Sequence, residues 1–136
     1  MTTEQPSDNS ASSKKADTLT AVCHCGRVRI QLPSKPTRLL ECHCTVCYKY
    51  GALWAYFPRN EPVITIADDA TLVPYIREDT AGNISFNRCS YCGCMVCWLG
   101  EKGFSGPTHK MGVNCRMLTE SEIEGIEKKM SKGPGN

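Results

Sequence analysis

The sequence predicts a mainly β fold: a small, zinc-stabilised set of antiparallel sheets with a short C-terminal helix. Three observations predict it. Short β-type runs recur between turn residues, with no helical periodicity between them. Seven of the ten cysteines fall into three tight clusters with the spacing of metal ligands. One helix start signal, Thr119-Glu120-Ser121-Glu122, lies near the end of the chain.

Residues 1–18 are rich in Ser, Thr, Asn and Lys and almost empty of large apolar residues. Such a segment cannot bury enough surface to offset its ordering entropy, so it is expected to be a disordered tail. Residues 131–136, Ser-Lys-Gly-Pro-Gly-Asn, read the same way, which leaves one folded domain over 19–130. Val28 to Leu32 alternates apolar and polar residues before Pro33, as a half-buried strand does. Leu53 to Phe57 and Val63 to Ile66 are apolar runs, with Pro58, Asn60 and Pro62 expected to make the turn between them. Thr71 to Arg77 and Asn83 to Asn87 form a further expected pair, joined through 79–82. Met95 to Leu99 and Lys110 to Met117 complete the strands. In the helix that follows, Thr119 and Glu122 are spaced as a capping box. Ile123 and Ile126 give an apolar face, and Lys128 and Lys129 would sit at the negative end of the helix dipole. Trp54, Tyr56 and Phe57 are assigned to the core.

A net charge of +2, with Lys and Arg scattered along the chain, gives no basic stripe for nucleic acid. No apolar run is long enough to span a membrane, and the polar N-terminus lacks the apolar segment of a secretory signal. A cytoplasmic location is therefore expected, where clustered cysteines serve as metal ligands more readily than as disulfides.

The clusters are Cys23-His24-Cys25, Cys42-His43-Cys44-Thr45-Val46-Cys47 and Cys89-Ser90-Tyr91-Cys92-Gly93. In an extended segment alternate side chains point the same way, so Cys23 and Cys25 can share one metal while His24 points away. The same holds for Cys42 and Cys44 with respect to His43. Cys89 and Cys92, followed by Gly93, resemble a zinc knuckle. Joining Cys23 and Cys25 to Cys89 and Cys92 closes a tetrahedral structural site. Cys42, Cys44 and Cys47 are left with one open position. Three thiolates make zinc a weak Lewis acid, better suited to holding an incoming thiol as thiolate than to making hydroxide from water. Cys94, Cys97, Cys115 or His109 could instead fill the fourth position and make this site structural as well.

At these clusters the chain resembles the glutathione-dependent formaldehyde-activating enzyme family, which includes the centromere protein V domain. Cys23-His24-Cys25-Gly26-Arg27-Val28-Arg29 looks like its opening motif. Cys42 through Ala52 looks like the central C-H-C-x-x-C-x-K-x-G-A, Arg88 to Gly93 its C-x-x-C-G element, and Gly112-Val113-Asn114-Cys115-Arg116 its late V-N-x-R strand. The resemblance spans about Thr20 to Leu118. It implies a zinc-dependent all-β fold of the formaldehyde-activating enzyme type. It also implies a structural zinc on Cys23, Cys25, Cys89 and Cys92 and a catalytic zinc on Cys42, Cys44 and Cys47. The implied activity is that of a carbon–sulfur lyase, forming or cleaving S-hydroxymethylglutathione from glutathione and formaldehyde. Tyr48, Cys94 and Cys97 depart from the family pattern.

In the expected mechanism the thiol binds as thiolate at the three-cysteine zinc, and His43, Tyr48 or Lys49 steadies the developing alkoxide. Lys49, Arg38 and Arg59 are candidate partners for the two glutathione carboxylates. Two other readings stay open: a lyase acting on a different small electrophile, and a non-catalytic zinc module that binds a protein partner.

Overall fold

The computed structural model describes residues 18–78, 84–100 and 110–132. Among these residues ten strands make two sheets. β1 (Thr20–Val22), β2 (Val28–Gln31) and β5 (Val63–Ile66) form an antiparallel three-stranded sheet in the order β1-β2-β5. The larger sheet runs β10-β3-β4-β9-β8-β7-β6. It comprises β3 (Arg38–Cys42), β4 (Trp54–Pro58), β6 (Leu72–Tyr75), β7 (Ile84–Cys89), β8 (Met95–Gly100), β9 (Lys110–Asn114) and β10 (Glu127–Ser131). Its neighbours pair antiparallel except β10, which lies parallel to β3 with Glu127 opposite Arg38.

Side-chain alternation divides the large sheet into two faces. One face carries Leu39, Ala55, Phe57, Met111 and Val113, packed with Ala21, Val28 and Ile30 of the small sheet to make the main core. The other carries Cys42, Trp54, Phe86 and Met95, a separate apolar cluster not covered by the small sheet. A bulge at Val96 makes this possible: Asn87 pairs with Cys97 and Arg88 with Met95, so the extra residue turns Val96 to the core and Met95 to the outer cluster.

Several expectations are corrected. β4 and β5 do not pair with each other; β5 crosses to the small sheet and pairs with β2. β9 ends at Asn114, where a 3-10 turn, Cys115–Met117, begins under the Asn114 side chain. A helix precedes the C-terminal one: α1 spans Thr45–Tyr50 within the central cysteine cluster. The capping box is present, but α2 is a single turn, Glu120–Ile123. Gly125, at φ 86°, then redirects the chain into β10. Lys128 and Lys129 therefore lie on an edge strand rather than at a helix end, and Ser131, expected in the tail, closes that strand. Residues 1–17 and 133–136, the remainder of the expected tails, lie outside the described residues, as does His109.

Candidate metal centres

Two groups of sulfur atoms stand out among the described residues, each with its members within 4.8 Å of one another: Cys23, Cys25, Cys89 and Cys92, and Cys42, Cys44 and Cys47. All ten cysteines are free thiols.

The four-sulfur group joins the loop between β1 and β2 to the turn between β7 and β8. Cys25 Sγ lies 3.6 Å from both Cys23 Sγ and Cys89 Sγ. Zinc–sulfur bonds of about 2.3 Å in a tetrahedron separate sulfurs by roughly 3.8 Å, so the geometry fits zinc. Backbone amides already face the sulfurs: Val28 N donates to Cys23 Sγ and Tyr91 N to Cys89 Sγ, each at 3.3 Å. Gly93, at φ 81°, folds the second turn back so that its N–H reaches the Cys89 carbonyl. Burial pushes the Cys23 thiol up to about 11. Burial also opposes charge at Cys92, yet the N–H groups of Cys94 and Cys25 bring it down to about 6. Arg27 lies outside these sulfurs, its guanidinium 3.5 Å from the centre of the Tyr91 ring and its Nε 3.1 Å from Asp69. Cys94 is half-buried beside this group, and His24 is exposed.

The three-sulfur group sits where β3 ends and α1 begins, on the outer face of the large sheet. Cys42 closes β3, Cys44 is the N-cap of α1, and Cys47 lies on the helix's buried side. Cys44 Sγ accepts from Cys47 N at 3.4 Å. The Gly51 N–H closes the other end onto the carbonyls of Cys47 and Tyr48. The late strand braces this corner. Asn114 is buried and bridges three segments: Oδ1 accepts from Leu53 N and Arg116 N at 3.1 Å, and Nδ2 donates to Met95 O at 2.8 Å. Arg116 Nε donates to Gly51 O at 3.0 Å. The V-N-x-R motif is thus a scaffold for the cysteine corner.

These three sulfurs also fit a soft metal: three buried thiols from six consecutive residues, one of them an N-cap already hydrogen-bonded to backbone. Burial raises Cys47 and Cys42, so without metal they are held as thiols and ligation must release protons. At Cys44 burial is outweighed by the N–H groups of Cys47 and Val46 and the neighbouring thiols, which hold it near 7. No fourth Cys, His, Asp or Glu joins the group among the described residues. Cys97 and Cys115 are fully buried in the main core, where burial pushes each thiol up to about 12, at Cys97 against the opposing charge of Arg59.

The three sulfurs open onto a cavity of about 230 Å³, walled by Trp54, Phe86, Trp98, Tyr56 and Ile84. Arg77 supplies its cation. Buried at 9 % exposure, Arg77 places Nη1 3.7 Å from Cys44 Sγ and Nη2 3.0 Å from Thr45 Oγ1. Sequence reasoning missed Arg77; the available signal was a lone cation following the apolar run Val73-Pro74-Tyr75-Ile76. Trp54 is buried on this wall, and the Cys47 sulfur is the polar neighbour of its indole N–H. Tyr56, expected in the core, is 44 % exposed at the rim.

His43 and Tyr48 line a smaller cleft of about 100 Å³ that also touches Cys42 and Cys47. His43 Nε2 is 2.8 Å from Glu41 Oε2, and its ring meets Tyr48 edge to face at 5.2 Å. Lys49 is exposed on α1 and lines neither cavity. A larger depression of about 370 Å³ holds Arg38, Thr37 and Glu127 and shares Trp54 and Tyr56 with the sulfur-lined cavity. It contains no sulfur. The three sulfurs border the smaller cavity instead. Arg59 donates to Gly100 O at 2.8 Å.

A family model described as glutathione-dependent formaldehyde-activating enzyme matches residues 18–124. Among solved structures, a protein of Rhodobacter sphaeroides is similar at 20 % identity and TM-score 0.59, over 82 % of this chain and all of the other. At that identity the likeness concerns the fold. No curated protein matches the chain.

Proposed function

The chain belongs to the glutathione-dependent formaldehyde-activating enzyme family, and from that premise we propose that it is a zinc-dependent carbon–sulfur lyase that makes and breaks thiol–carbonyl adducts such as S-hydroxymethylglutathione. The observation that carries this reading is the division of the sulfurs. Four close on one another, whereas three face a cavity with no fourth protein ligand among the described residues. Cys23, Cys25, Cys89 and Cys92 would hold a structural ion and Cys42, Cys44 and Cys47 a catalytic one. Zinc on the three cysteines would supply an open position at which a thiol stays deprotonated.

The residues around it have separable tasks. The Asn114–Arg116 brace fixes the corner, so the three sulfurs do not reorganise when substrate enters. Arg77 places positive charge beside Cys44 and offsets the excess negative charge of three thiolates. The aromatic walls exclude water from the reacting carbon. In the forward direction the glutathione sulfur adds to the carbonyl carbon, the C=O π pair moves to oxygen, and that oxygen takes a proton. His43, paired with Glu41 and edge to face with Tyr48, would carry the proton from the separate cleft on the Cys42 and Cys47 side, and Lys49 would add charge from the helix surface. Arg38, in the adjoining depression, is placed for a glutathione carboxylate. Buried free thiols suit a reducing, cytoplasmic setting.

The test is coordination together with turnover. In protein with cobalt substituted for zinc, glutathione should change the visible spectrum of one of the two metals. Cys44→Ser should keep the fold and the other metal while losing adduct exchange with formaldehyde. A spectrum indifferent to glutathione, with no exchange in the wild-type protein, would favour the non-catalytic module.

A further inference from the structure

Formaldehyde is scarcely larger than water, whose share of liquid volume is about 30 Å³. The cavity facing the three sulfurs is about 230 Å³. An apolar cavity of about 150 Å³ holds benzene. The surplus is not suited to the body of glutathione, whose two carboxylates and amides need polar partners. Apart from the sulfurs and Arg77, the walls among the described residues are aromatic or aliphatic. The peptide therefore belongs outside, towards Arg38, with only its sulfur end inside.

The rings pack against one another in pairs and leave the cavity open between them. Tyr56 and Trp98 meet edge to face, with centroids 5.7 Å apart, and Trp54 and Phe86 form a tilted pair at 6.2 Å. Gly112 is what admits Trp98. A Cβ at that position would come within 2.1 Å of the indole nitrogen, so the ring lies directly on the glycine backbone. A large indole laid back against a strand leaves room above it, which a one-carbon substrate does not use.

We propose that the carbonyl partner carries a planar apolar group about one aromatic ring in size, seated between Trp98 and Phe86 with its carbonyl carbon towards the three sulfurs. This rests on the thiol–carbonyl reading of the site. The reaction is unchanged: the C–S bond forms as the C=O π pair becomes a protonated hydroxyl, and cleavage returns aldehyde and thiol. No oxidant is required.

Zinc-loaded full-length protein is titrated with S-benzylglutathione and S-methylglutathione, stable thioethers that differ only in the group offered to the cavity. The benzyl compound should bind at least about tenfold tighter, because its ring is buried there. It should also perturb the fluorescence of the chain's two tryptophans, Trp54 and Trp98, which both wall the cavity. Trp98→Ala should reduce the benzyl-to-methyl ratio below about twofold. Ile84→Trp, which fills the space from its rim, should do the same by a different route. Adduct exchange is measured in parallel with formaldehyde and 4-nitrobenzaldehyde. Equal affinities, or a preference untouched in both variants, overturn the proposal and leave the lyase reading standing if formaldehyde exchange still requires Cys44. Loss of exchange with both aldehydes in wild-type protein overturns the two together.

Discussion

At the scale of single residues, the site depends on side chains that do no chemistry. Asn114 satisfies two backbone donors and one carbonyl from three segments, and all of these groups are buried or partly buried. Asn114→Ala would leave Leu53 N and Met95 O without partners where water cannot easily replace them. Destabilisation of roughly 2–3 kcal/mol is expected, measured as a shift in denaturant midpoint with unchanged slope. An effect under about 0.5 kcal/mol would show that the brace is not needed. The sequence made some of these residues legible and hid others. The cysteines were legible because a metal site needs several ligands within reach, and close spacing along the chain supplies them. Asn114 could be quoted as part of a motif, but its partners at Leu53 and Met95 come from other strands and leave no local trace. Arg77 was invisible for the same reason, since its contacts at Cys44 and Thr45 lie over thirty residues away.

At the scale of elements, the strands with alternating or apolar patterns were legible and those without were not. β2, β4, β5, β7 and β8 bury at least part of one face and announce it. β10, Glu-Lys-Lys-Met-Ser, exposes almost every residue. It is an edge strand whose lysines discourage further pairing, so it carries no apolar period to read. α1 was missed because Val46, Tyr48 and Tyr50 are indifferent helix formers. Its single turn and a half is imposed by the Cys44 cap and the left-handed Gly51 instead. α2 was legible at its start, where the capping box is local, and misread at its end, where Gly125 turns the chain. Because α2 is so short, its cap should matter to the whole C-terminal segment. Ile123 and Ile126 reach the core only if the turn forms. Thr119→Ala should lower stability by about 1 kcal/mol, seen as a reduced melting temperature with metal content intact. No change would mean that core contacts alone hold the segment.

At the scale of the whole molecule, the two metal groups differ in what they connect. Cys42, Cys44 and Cys47 are local, and removing a metal from them would alter one corner. Cys25 and Cys89 are 64 residues apart and belong to turns of different sheets. Metal at four thiolates that come together only in the folded chain would add its binding free energy to folding. The main core between the sheets is modest, so it has little to set against that loss. A chelator should therefore act in two stages. An ion at the three-cysteine corner should leave first, because three protein ligands hold it among the described residues, and circular dichroism should barely change. The second ion should leave later and together with the β signal, because its departure uncouples the two sheets. Total metal by elemental analysis should be close to two per chain. Cys89→Ser should abolish the second stage by preventing folding, whereas Cys44→Ser should remove only the first. A single concerted release with unfolding, or one ion per chain, would mean that the two sulfur groups do not divide the work between anchoring the fold and meeting the substrate.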